Sequence, residues 1–181
     1  AFASWLVLCA LSAPAGADRA PAGLGYSAEG EDLFGPGAVP ARFAEEDAVI
    51  LFWGDFFILH DDGRIDHGQH RVIRLNSDYA IEQLGDPRVP YDTLRQQLIV
   101  HACRTFTPDG RIVEAQERAF NLVTADEVAH CPDGVHWQEM VISHLGVERG
   151  CIIELDFEVR DLEPQAPWLE GAAFFEGEWP V

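Results

Sequence analysis

From Cys151 to Arg160 the chain alternates with a period of two. Cys151, Ile153, Leu155, Phe157 and Val159 fall on one side, and Ile152, Glu154, Asp156, Glu158 and Arg160 on the other. Successive side chains of a strand point to opposite faces, so this stretch predicts a β-strand with one face in a core and one in water. The surrounding punctuation is also β. Ala48 to His60 is nearly continuously apolar, and Asp61-Asp62-Gly63-Arg64 turns it into a second strand through Arg71–Leu75. Leu98 to Phe106 reads as a strand that Pro108-Asp109-Gly110-Arg111 turns into Ile112-Val113, and His136 to Leu145 as another. One short helix is expected over Asp78–Leu84, capped by Ser77 or Asp78 and stopped by Gly85 and Pro87. No helical period of useful length occurs elsewhere. The expected fold is all-β, an antiparallel β-sandwich or strongly curved sheet with at most one or two short helices.

The 181 residues suit one domain. Their charge narrows the partners: 31 acidic residues face 12 basic ones, all arginine, for a net charge of −19. Nucleic acid and anionic lipid both require a basic footprint, which this composition excludes. The missing lysines and the two asparagines read as compositional bias rather than function.

The N-terminal part carries a different signal. Trp5 to Leu11 is an apolar run too short to span a bilayer, and Ala15-Gly16-Ala17 ahead of Asp18 has the small-x-small form of a cleavage site. Residues 1–17 therefore read as a signal peptide whose basic start is missing, and no transmembrane segment is expected in the mature part. Cys9 does not read as a lipidation site, because Leu8 stands where a small residue is wanted. Residues 18–44, rich in Ala, Gly and Pro, read as an extended linker, and 45–181 as the β-sandwich domain. The expected location is exported, in the periplasm. Export permits disulfides, but Cys103, Cys131 and Cys151 allow at most one internal pair; the sequence does not choose it, and three buried free thiols are equally consistent.

Three constellations could carry chemistry. Cys103, His144 and Asp156 follow the order of a Cys-His-Asp hydrolase or transglutaminase site. A reactive thiol needs its thiolate stabilised, commonly at a helix N-terminus or beside a cation, whereas Cys103 sits inside a predicted strand. His60, His67 and His70 with Asp61, Asp62 and Asp66 bracket a hairpin, and His130 and His136 flank another loop; solvated loop histidines explain them better than zinc, whose ligands must converge. Glu154, Asp156 and Glu158 form a row that could bind calcium or a cationic chain, but such a row is more often the wet side of a sheet. The residues alone assign no catalytic, cofactor-binding or metal-binding position, and no cofactor.

The order of several short segments resembles the bacterial domain of unknown function 3857. These are Ala48-Val49-Ile50-Leu51, Asp62-Gly63-Arg64-Ile65, His70 to Asn76, Val89-Pro90-Tyr91-Asp92, Thr105 to Val113, Gly146 to Glu154, and the closing run to Trp179-Pro180-Val181. The Phe/Trp-rich first strand and Cys151 depart from the usual pattern. The resemblance implies a β-rich domain that precedes a transglutaminase-like domain in exported proteins, with the catalytic Cys, His and Asp in that downstream domain. On this basis the chain is expected to be a non-catalytic accessory module, cut before its catalytic partner, packing against that domain or presenting a peptide or protein substrate to it. An independent peptide- or glycan-binding module is the alternative, with Trp168, Phe174, Phe175 and Trp179 as its exposed aromatic cluster, although a contact between domains explains these four residues equally well. A thiol hydrolase using Cys103 is the third reading.

Overall fold

The computed structural model describes residues 34, 39, 41–125, 128, 130, 136–164 and 179. The signal peptide at 1–17, most of the linker at 18–44, Cys131, Trp168, Phe174 and Phe175 lie outside the described residues.

The fold is mostly β, as expected: two antiparallel sheets and one short helix. The larger sheet has the order β1 (Ala48–Leu59), β2 (Ile65–Leu75), β8 (Cys151–Asp161), β4 (Gln96–Phe106), β5 (Ile112–Glu114). The smaller has the order β3 (Arg88–Asp92), β7 (Trp137–Ile142), β6 (Phe120–Thr124). Helix α1 spans Asp78–Leu84, where the sequence places it, and the Ser77 side chain accepts the Ala80 N–H as its N-cap.

Two hairpins are built on the same local chemistry. Gly63 and Gly110 take positive φ, 86° and 85°, a conformation that glycine enters without steric penalty. In the first, the Asp62 carboxylate accepts from the Arg64 backbone N–H and Nε; in the second, Asp109 does the same for Arg111. These Asp-Gly-Arg clamps set the β1–β2 and β4–β5 connections.

The apolar side of β8 faces the smaller sheet. Leu155, Phe157 and Val159 pack with Cys103 of β4 and with Val89, Tyr91 and Ile142. A second cluster, Ile73, Leu75, Ala80, Cys151 and Ile153 with Ala48, lies under α1, and Trp179 packs against it. Asp161 ties the strand ends together by accepting from the Ile65 N–H and from Gln96 Nε2, both at 3.0 Å.

One expectation about β8 is corrected. It has no wet face: Glu154 is 7% exposed and Glu158 1%. Alternation reports which residues share a side, but β8 became the middle strand of five, paired with β2 and β4 along almost its whole length. Long side chains from those neighbours lie over its carboxylates.

Candidate functional site

The thiol triad is not assembled. Cys103 points into the core between the sheets, whereas Asp156 belongs to the opposite face of β8. Burial pushes the Cys103 thiol up to about 11; Arg71 opposes this shift and Glu154 adds to it. His144 is buried and engaged elsewhere, with Nδ1 3.1 Å from the Gly85 carbonyl and Nε2 3.2 Å from the Glu154 carbonyl. Cys103 and Cys151 are both buried free thiols, which leaves no disulfide between them.

The histidines of the first hairpin do not converge. His60 is a loop residue between β1 and β2, but His67 and His70 lie within β2 on opposite faces. His60 pairs with Asp66 at 2.8 Å, His67 with Asp55 at 3.6 Å and His70 with Glu154 at 3.2 Å. His136 pairs with Asp92 at 3.5 Å. Among the described residues no group of three or more His, Cys, Asp or Glu side chains is placed to hold a metal ion.

In the carboxylate row, Glu154 and Glu158 are covered by arginine and histidine side chains, and Asp156 between them is half-buried. Glu154 lies between His70 and the Arg104 Nε, the latter at 3.4 Å. Glu158 Oε1 is 2.5 Å from Arg160 Nη2 and 3.3 Å from His101 Nε2, in hydrogen-bond geometry with neither. A β-bulge between Val100 and Ala102 takes His101 out of the regular pairing and lets it reach Glu158. Buried charges left unpaired are strongly unfavourable, so the guanidinium groups of Arg104 and Arg160 are the physical reason a carboxylate can sit mid-sheet.

A fourth constellation, absent from the sequence reading, lies on the inner side of β1 and β2 beside the sandwich core. Asp55 accepts from Trp53 Nε1 at 2.9 Å and Gln69 Nε2 at 2.8 Å, with His67 alongside. Burial raises the Asp55 pKa, but the bonds from His67, Gln69 and Trp53 together outweigh it, and the net shift is downward. Phe57 stacks on His67 with centroids 4.3 Å apart. The Arg71 guanidinium lies 5.6 Å from the Trp53 ring centroid; burial lowers its pKa to about 10, so it stays charged at neutral pH. Trp53 remains 44% exposed. The result is a shelf of aromatic rings and fixed polar groups, able to bind but lacking a nucleophile. Its signal in the sequence is the polar–aromatic interleaving of Trp53, Asp55 and Phe57 with His67 and Gln69.

His144 gives a testable pH effect. Burial holds its pKa below the ordinary 6.5; the two carbonyl bonds oppose this and Arg71 adds to it. The unfolded chain therefore takes up the proton first, and the stabilisation is fully present above about pH 6.5 and lost as pH falls. His144→Gln is expected to cost about 1–2 kcal/mol at neutral pH and to show a shallower loss on acidification. Urea midpoints for both proteins on either side of pH 6.5 check this. The histidine–carboxylate pairs are common to both and cancel in the difference; parallel pH profiles would contradict the assignment.

Two packed antiparallel sheets, of five and three strands, with one short helix define a sandwich-like β-module. The chain belongs to the DUF3857 family, described as "Domain of Unknown Function with solved-structure structure", which matches residues 61–181. It is also similar to a crystal structure from Parabacteroides distasonis described as that of a "putative protease", with 27% identity and a TM-score of 0.65. That match covers 67% of this chain and 24% of the other, so the chain spans about a quarter of the length of the solved protein. A search of curated proteins finds no match.

Proposed function

We propose that this chain is a non-catalytic accessory module of an exported enzyme, packing against or presenting substrate to a transglutaminase-like or protease-like catalytic domain. The observation that carries this reading is the match to about a quarter of a much longer protein described as a "putative protease", with the remaining length outside the likeness. The buried Cys103, its thiol pushed up by desolvation, supports it. Among the described residues no helix is long and apolar enough to cross a membrane. The Trp53 shelf favours a second reading, an independent module for glycan or peptide, because an exposed indole beside fixed polar groups suits either ligand.

The two readings separate in the intact protein carrying its catalytic domain. Deleting residues 45–181 is expected to lower kcat/KM on a peptide substrate by about tenfold or more, through orientation or substrate capture. Unchanged turnover after deletion, with binding of oligosaccharide or peptide by the isolated module, would favour the independent module instead.

A further inference from the structure

Each sheet has two edges, and three of the four edge strands are blunted. β5 has three residues, β3 has five and includes Pro90, and β6 has five. The part of β4 that β5 leaves uncovered contains the bulge and His101. Short strands, proline and bulges are how sheets avoid edge-to-edge association. β1 has none of these over Phe52–Leu59. It runs for twelve residues with neither proline nor lysine, and its one bulge lies before Phe52. Among the described residues nothing pairs with its outer edge.

Its side chains also leave that edge bare. Phe52 leans over β2, its ring centroid 5.1 Å from that of His70. The Phe56 ring occupies the space a Cβ on Gly68 would take, and Phe57 stacks on His67. Asp55, the only charge on the strand, is bonded to Trp53 and to Gln69 of β2, with His67 beside it. A row of backbone donors and acceptors is thus offered sideways, flanked by apolar residues.

We infer that β1 pairs antiparallel with β1 of a second copy, joining the two five-stranded sheets into one. A two-fold axis normal to the sheet keeps each face with itself, so it sets residues of like parity opposite one another. Within Phe52–Leu59 two registers give the longest ladder. One is centred on Asp55 and opposes two carboxylates, which is unfavourable. The other is centred on Phe56: it places Gly54 opposite Ile58, Trp53 opposite Leu59 and Asp55 opposite Phe57. The strand is self-complementary in that register, which is why a second copy is the occupant.

The register makes two substitutions at one position act in opposite ways. Phe57→Asp sets a carboxylate opposite Asp55 twice per dimer, whereas Phe57→Lys sets an ammonium there. Sedimentation equilibrium of the full chain over a dilution series, in salt that screens the charge of −19, reads the outcome. Wild type and Phe57→Lys are expected to form dimers. Phe57→Asp should raise the dissociation constant by about tenfold or more. Far-ultraviolet circular dichroism confirms that each variant is folded. A wild-type chain that stays monomeric throughout overturns the inference. Variants that both dissociate, or that both remain dimeric, overturn it as well.

Discussion

Leu155→Asp is expected to unfold the protein or bring it close to unfolding. Leu155 is 1% exposed and belongs to the cluster with Val89, Tyr91, Cys103, Ile142, Phe157 and Val159. The substitution removes a buried aliphatic side chain and puts a carboxylate into an apolar cluster, with Arg71, opposite Leu155 on β2, as the cation on that face. Loss of a buried leucine alone typically costs about 2–5 kcal/mol, and the carboxylate adds its own desolvation. Against a net stability on the order of 5–15 kcal/mol, that is a large fraction of the total. Asp156→Asn, one residue away on the other face and half-buried, should stay within about 0.5 kcal/mol of wild type. Urea midpoints compare them. Equal midpoints would mean that Leu155 does not face the core between the sheets.

That contrast also marks how far the sequence could be read. Alternation on β8 correctly divides Leu155 from Asp156, because a strand's pleat is a local property. It cannot say that β8 becomes the central strand, since pairing with β2 and β4 joins residues distant in the chain. The burial of Glu154 and Glu158 follows from that pairing, and the bulge that brings His101 to Glu158 leaves no local signature. β3 and β6 escape notice for a related reason. Each has five residues and gains its identity from β7, and Pro90 is tolerated because β3 is an edge. The turns at Gly63 and Gly110 were legible, because both glycines need positive φ and the residues around them announce it. The nearly continuous apolar run of Ala48–His60 lacks the alternation that would show which side is covered. As an edge strand it is only half covered, and its exposed Trp53 becomes part of the shelf. Trp179, offered as a surface aromatic, instead packs against the cluster under α1.

The second large effect concerns Cys103. With its pKa pushed up to about 11, only about one thiol in ten thousand is ionised at neutral pH, some two to three orders of magnitude below an ordinary exposed cysteine. The thiolate is the nucleophile, so alkylation by iodoacetamide in the folded chain should be slower by at least that ratio, and burial slows it further. No base is placed to offset this, because both ring nitrogens of His144 face backbone carbonyls and Asp156 is on the other side of the sheet. Arg104, next in sequence, turns away to Glu154. Cys103 packs with Leu155 and Phe157 as a small apolar side chain would.

Turnover is the most direct test that the chemistry belongs to another domain. The purified, reduced chain is incubated with peptide and glutamine-donor substrates beside its Cys103→Ala variant. Both are expected to be silent, with activity present only in the protein that carries the catalytic domain. Turnover by the wild-type chain that disappears in Cys103→Ala would contradict the accessory role and make Cys103 a catalytic nucleophile.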